Sequence, residues 1–230
     1  MVKSLLLLLF LPLTLSSQTY EEHVKIIYTK CELENKLSYK VFLKGLTGYY
    51  GLKYDNKIKG DKLVIVDFRQ ASHEKRFYVI DLTHQKLIHR TLVAHGEKSG
   101  NKYALFFSNQ KGSHKSSLGF YITTTLYVGC NGPSLYLKGV DEGYNHHAEE
   151  RLIVVHGADY VSTKEMGRSK GCLALSSAEA KIIIPLIKNG NSIFVYATSY
   201  KNTPLSKDKA LQYYEQLKID HAVKELLNFY

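Results

Sequence analysis

Two short stretches carry residues that can do covalent chemistry. One is RLIVVHG, which ends in His156 and Gly157. The other is GRSKGC, which ends in Gly171 and Cys172. A free thiol with a pKa of about 8.5 is only a few per cent thiolate at neutral pH. A neighbouring imidazole takes the proton, and the imidazolium then stabilises the thiolate. His156 closes an apolar run that reads as a buried strand. Cys172 follows 16 residues later, just before a segment that reads as a helix. A strand end and a helix start can face each other across such a loop, which would bring imidazole and thiol within hydrogen-bonding reach. The helix start would add partial positive charge. Arg168 and Lys170 would add more if they point inward. Gly171 removes a side chain from the approach to sulfur, and frees the N–H groups of Gly171 and Cys172 to meet an oxyanion. The chemistry this suits is nucleophilic attack by a thiolate at a centre that develops an oxyanion.

Taken singly, each residue has a plainer reading. A lone cysteine is more often a small buried apolar residue, and a histidine at a strand end is more often structural. The two together, on a strand end and before a helix, point to nucleophilic catalysis. His95-Gly96 repeats the His-Gly dipeptide at another strand end. His95, with Ser99, Ser108, Asn109, Ser116 and Ser117, forms a second tier that either touches substrate or caps turns. His146 and His147 are adjacent, project differently and have no fitting third ligand nearby, so no metal is expected. No cofactor is expected either.

The elements that must position these groups are mainly β. LVIVDF, RFYVIDL, KLIHRTLVAH, YALFFS, LGFYITTTLYVG, SLYLKGV, RLIVVHG and SIFVYAT are short β-branched and aromatic runs separated by polar turns. Residues 20–43 have helical apolar spacing. GLTGYYG and NKIKGDK read as turns, and DEGYNHHAEER as a short helix or turn. Residues 176–188 read as a helix, with Ser176 and Glu179 as a capping box and Asn189-Gly190 at its end; Pro185 should kink or shorten it. The last stretch, from Ser206 onward, reads as an amphipathic helix with a solvated face.

The start of the chain sets the expected compartment. MVKSLLLLLFLPLTLSSQ has one lysine, an apolar run from Leu5 to Leu15 and then small polar residues, the layout of a secretory signal peptide with cleavage near Ser16 or Ser17. The run is short for a membrane span and contains Pro12. No cysteine marks that junction, so no stable membrane anchor is expected. The division expected is 1–17 signal peptide, 18–45 N-terminal helical extension, 46–200 catalytic domain and 201–230 C-terminal helix. The net charge of +10 favours an anionic partner, but the lysines are dispersed and no basic block is interleaved with aromatics, so no nucleic acid is expected. An acidic envelope polymer fits export better. Three cysteines in an oxidising compartment leave one thiol unpaired; a Cys31–Cys130 pair would leave Cys172 free, which the sequence alone does not establish.

RLIVVHG followed by GRSKGC resembles the signature of the L,D-transpeptidase catalytic domain, the YkuD-like fold, in which His-Gly precedes Ser/Thr-x-Gly-Cys. YVIDL, LVAHGEKSG, FFSNQKGSHKSSLGFYITTTLYVG, SLYLKGVDEGYN, RLIVVHGADYVS and GRSKGCLAL resemble the murein subfamily in the same order, over roughly residues 40–200. The resemblance implies a β-sandwich or barrel with a capping helix after the catalytic cysteine and helical extensions at both ends. It implies that Cys172 is the nucleophile and His156 the general base and later acid, with Gly157 and Gly171 shaping the site. Arg168 and Ser169 would line it; the sequence does not fix the group that orients His156, which in this family is often a backbone carbonyl. SSLGFYIT, with Ser117 and Tyr121, lines up with the stretch that walls the substrate cleft. The implied partner is peptidoglycan, with tetrapeptide stems as donor and an amine as acceptor, in the periplasm or cell envelope. Lys170 stands where the wider family often has His, and Leu173 where the subfamily commonly has Pro. The His156–Cys172 loop is shorter than in many relatives, which bears on the width of the cleft. Resolution of the same thioester by water would make an L,D-carboxypeptidase or amidase. A non-catalytic wall-binding module is the reading from a different class.

Overall fold

Near the start of the described residues, Thr19 caps a helix. Its hydroxyl accepts the Glu22 N–H at 3.2 Å, and the Glu22 carboxylate accepts the Thr19 N–H at 2.8 Å, a reciprocal capping box. The computed structural model describes residues 18–162, 168–201 and 207–227; the expected signal peptide, 1–17, lies outside the described residues. The capped helix, α1 (Tyr20–Lys30), is followed by α2 (Tyr39–Tyr54). The N-terminal region is thus two helices, and the second includes GLTGYYG, which the sequence marks as a turn. The reason is close packing. A Cβ on Gly45 would lie 2.9 Å from Ile65, and one on Gly48 only 1.9 Å from the Phe120 ring. The glycines let this helix lie against the sheet, and that gain outweighs their poor helix propensity. The expected boundary between residues 45 and 46 falls inside α2.

Eight strands follow among the described residues: β1 (Lys62–Asp67), β2 (Phe77–Asp81), β3 (Lys86–Thr91), β4 (Gly119–Gly129), β5 (Gly132–Gly139), β6 (Val154–Gly157), β7 (Leu173–Leu175) and β8 (Ser192–Tyr196). They form one sheet in the order β3-β2-β1-β8-β4-β5-β6-β7. β1 and β8 are parallel at its centre, and β6 and β7 are parallel at one edge; the other pairs are antiparallel. β1, β2 and β8 are buried on both faces, as their near-continuous apolar runs require. The sheet curls. The chain leaving β3 returns to the outer edge through two isolated bridges, Ala94 with Ala174 and Gly96 with Ser169. The barrel-like, mainly β architecture expected from the sequence is the one found.

Helix α3 (Ser177–Ile187) caps the sheet after β7. Ser176 Oγ accepts the Glu179 N–H at 3.3 Å, but the Glu179 carboxylate turns to His89 instead of completing the box. Pro185 sits inside α3 without ending it. The last helix, α4 (Lys207–Leu227), packs on α2 and is tied to its end by Lys209 to Asp55 at 2.7 Å. YALFFS is not a strand. The Leu105 and Phe106 N–H groups both donate to the Ser99 carbonyl, so this backbone spends its donors on a local turn. All three cysteines are free thiols: Cys31 is buried at the end of α1, Cys130 is exposed on the β4–β5 hairpin, and Cys172 is half-buried. The Cys31–Cys130 pair is therefore not formed.

Candidate active site

His156 and Cys172 come together through strand pairing. On the parallel β6–β7 ladder His156 lies opposite Ala174 and Val155 opposite Leu173, so Cys172 lies beside Val154. Side chains two apart on a strand share a face. Imidazole and thiol thus emerge on one side of two neighbouring strands, two residues out of step. Both line one cavity of about 400 Å³, together with Tyr127 and Cys130 from the β4–β5 hairpin and Tyr160, Arg168, Ser169 and Lys170 from the loop before Cys172.

The tautomer of His156 follows from its contacts. Nδ1 lies 2.8 Å from the Gly157 carbonyl oxygen. A carbonyl only accepts, so Nδ1 carries the proton and Nε2 keeps its lone pair. The orienting group is thus a backbone carbonyl. Cys172 Sγ faces the Leu152 carbonyl at 3.7 Å, and Leu152 holds a positive φ of 55°. Imidazole and thiol thus share the cavity without bonding to each other; the two-residue offset and this alternative acceptor explain why. Burial pushes the thiol pKa up, while the Val154 N–H and the Arg151 charge pull it down; the net direction is up.

The turn before Cys172 is held from several sides. Ser169 Oγ donates to the Cys172 carbonyl at 2.8 Å and accepts the Gly171 N–H at 3.2 Å. The Ser169 N–H donates to the His95 carbonyl at 3.2 Å, and its own carbonyl accepts the Glu97 N–H at 2.8 Å. The Gly171 N–H is therefore occupied, which leaves the Cys172 N–H as the amide beside the sulfur. Gly171 has φ +119°, and a Cβ there would lie 2.8 Å from the Lys115 carbonyl oxygen and 3.0 Å from Arg151 Nη2. Glycine is required twice over, by dihedral and by space. The expected helix start is not at the sulfur, because the three residues of β7 intervene before α3.

The remaining predicted residues sort by position. Arg168 lies over the Tyr160 ring at 5.5 Å, and Lys170 is exposed at the cavity rim. Gly157 faces away from the cavity. Its missing Cβ makes room for Ser177 and Ala180 of α3 and the Asn131 carbonyl, all at 3.1–3.2 Å. His95, Ser117 and Tyr121 stand behind the cavity wall and not on it. His95 is fully buried between Arg76 Nη2 at 2.8 Å and the Gly100 carbonyl at 2.8 Å. Ser117 Oγ and Tyr121 OH bond to each other at 2.7 Å, both nearly inaccessible. Sequence reasoning missed Arg151. It stands in the quoted RLIVVHG, yet nothing in that run shows that its guanidinium reaches behind Gly171.

An intact Cys, a His with a free Nε2 and a backbone N–H beside the sulfur can carry out acyl transfer. Comparisons with known proteins agree at the level of fold and family. The L,D-transpeptidase catalytic domain family matches residues 33–196. No curated protein sequence matches significantly. Among solved structures, an L,D-transpeptidase from Mycobacterium smegmatis is 14% identical with a TM-score of 0.40, over 60% of this chain and 59% of its own. The helical cell shape determining protein Pgp2 from Campylobacter jejuni is 13% identical with a TM-score of 0.42, over 76% and 63% respectively. This chain thus spans less than two thirds of the length of either. With the matched residues covering most of the sequence, and including both His156 and Cys172, the chain belongs to the L,D-transpeptidase catalytic domain family.

Proposed function

We propose that this protein is exported to the cell envelope and acts as a cysteine L,D-transpeptidase on peptidoglycan stem peptides. The observation that carries the reading is the placement of His156 on β6 and of Cys172 immediately before the neighbouring β7, both lining one cavity, with Nδ1 tied to the Gly157 carbonyl. The Cys172 thiol leaves the Leu152 carbonyl and gives its proton to His156 Nε2. The thiolate attacks the carbonyl of the third, diamino-acid residue, and the oxyanion meets the Cys172 N–H. Nε2 then hands its proton to the amine of the departing D-alanine, leaving a thioester. An amine from another stem attacks that thioester, His156 takes its proton, and the thiol is regenerated. Arg168 and Lys170 at the rim suit the carboxylates of such stems.

The test is mass spectrometry of muropeptides. The protein is incubated with a disaccharide-tetrapeptide, with and without a free D-amino acid, beside Cys172→Ala. Cross-linked dimer or exchanged tetrapeptide, absent in the variant, is the expected result. Tripeptide alone would assign water as the acceptor and make the enzyme a carboxypeptidase. Product unchanged in Cys172→Ala would refute the thioester, and no product from either protein would favour a wall-binding module.

A further inference from the structure

Arg151 precedes β6 and turns its guanidinium under the loop that runs from Ser108 to Ser117. Nη1 donates to the Ser108 carbonyl at 2.6 Å and to Ser117 Oγ at 3.1 Å. Nη2 donates to the Lys115 carbonyl at 2.6 Å and approaches Ser113 Oγ at 3.4 Å. All four acceptors are neutral. The same Nη2 lies 3.0 Å from the point a Cβ on Gly171 would occupy, one residue from Cys172. A half-buried cation bound to neutral groups keeps its full charge, and low surrounding dielectric extends its field.

We propose that Arg151 is a positioning residue for Cys172: its guanidinium buckles the 108–117 loop against the back of Gly171 and supplies a fixed positive charge behind the thiolate. The charge acts through the wall of the site and touches no substrate. It also does the work that a helix start does in other reactive cysteines, which β7 prevents here. Burial lowers the Arg151 pKa, while Tyr121 first and Cys172 second raise it, the last being the reciprocal of the pull on the thiol. Other titratable groups face Cys172 across the cavity: His156 on β6, Tyr127 and Cys130 on the hairpin, and Tyr160, Arg168 and Lys170 on the loop. None of them is altered in the test below.

The proposal deepens the transpeptidase reading, but it is tested without substrate, so the two can fail separately. The rate of iodoacetamide alkylation is followed against pH on the Cys172-containing peptide by mass spectrometry. Ser113 sits on a partly exposed loop, so Ser113→Asp can place a carboxylate on the guanidinium while leaving Arg151 in place. We expect its alkylation midpoint to rise by about one pH unit, roughly a tenfold loss of thiolate below the midpoint. Ser113→Asn should leave the midpoint unmoved. Arg151→Gln should raise it similarly, Arg151→Lys should recover part of the loss, and Ser113→Asp added to Arg151→Gln should raise it further, because the carboxylate's own field adds to the loss of the cation. If Arg151→Gln fails to fold, Arg151→Lys decides together with Ser113→Asp, and an Arg151→Lys midpoint equal to that of the wild type would overturn the role of the guanidinium fork. Unchanged midpoints in folded Ser113→Asp would overturn the proposal. Shifted midpoints in a protein inactive on muropeptides would uphold it and sink the transpeptidase reading.

Discussion

Acid should destabilise this domain through His95, a group with no place in the chemistry. His95 has no accessible surface. The Gly100 carbonyl can only accept, so Nε2 carries the ring proton and Nδ1 accepts from Arg76 Nη2. A second proton must go to Nδ1. It would break the Arg76 bond and set two cations together away from water. Burial first, and the Arg76 charge second, lower the His95 pKa from 6.5 to about 4. In the unfolded chain the imidazole titrates at its ordinary value. The folded state therefore stays neutral where the unfolded state binds a proton. The contribution to stability is whole above pH 6.5 and is lost as pH falls towards 4. The gap between 6.5 and about 4, at about 1.4 kcal/mol per pH unit, amounts to about 3 kcal/mol. That is a large part of the roughly 5–15 kcal/mol holding a domain together. Urea unfolding followed by circular dichroism from pH 4 to 7, in the wild type and in His95→Gln, measures it. The variant should be less stable at pH 7 because the Arg76 and Gly100 contacts change, yet should lose about 3 kcal/mol less than the wild type on acidification. His23, lowered to about 4 by burial, acts in both proteins and cancels in the difference. Equal acid losses in the two proteins would refute the reasoning.

Asp141 should work in the opposite sense. It is fully buried, and burial raises its pKa from 3.8 to about 6 against the bonds from Tyr200 and the Phe120 N–H. Its contribution to stability is whole below pH 3.8 and is lost as pH rises through 6, so Asp141→Asn should abolish that loss by about 3 kcal/mol in the same urea series. Gly171→Ala forces a φ of +119° on a residue with a Cβ and presses on the Lys115 carbonyl. It should cost about 1–3 kcal/mol in thermal or urea unfolding and slow Cys172 alkylation; a wild-type alkylation profile would contradict the close approach. Gly48→Ala should destabilise by about 1–2 kcal/mol, because overpacking against Phe120 outweighs the gain in helix propensity of about 1 kcal/mol; a more stable variant would mean that α2 does not sit so close to the sheet.

Where the sequence was informative, the signal was local. The Ser176 cap, the strands at β4, β6 and β8, the long last helix and the placement of His156 and Cys172 on one cavity could all be read from pattern and spacing. What it concealed depends on partners distant in the chain. GLTGYYG reads as turns until Phe120 and Ile65 are placed against its missing Cβ atoms. β7 is three residues long, below the length at which alternation can be recognised, and so Cys172 seemed to open a helix. YALFFS has the composition of a strand, but Ser99 takes its N–H groups. His95 resembles His156 in sequence, and only Arg76 and Gly100 reveal it as a buried strut. Arg151 showed nothing, because its acceptors are backbone carbonyls and hydroxyls of another loop.

The two bridges that close the curled sheet also set the order of assembly. Cys172 is seated on one side by the pairing of β7 with β6, and on the other by single bridges from Ala94 and Gly96, residues far upstream. Neither contact is local, and contacts between distant residues form late because long loops must close first. The thiol therefore gains its neighbours only when the sheet has come round on itself. A chain whose sheet has not yet closed carries the cysteine but not the bridges from Ala94 and Gly96 that hold the strand and the turn on either side of it. The setting of Cys172 is in that sense a late product of folding.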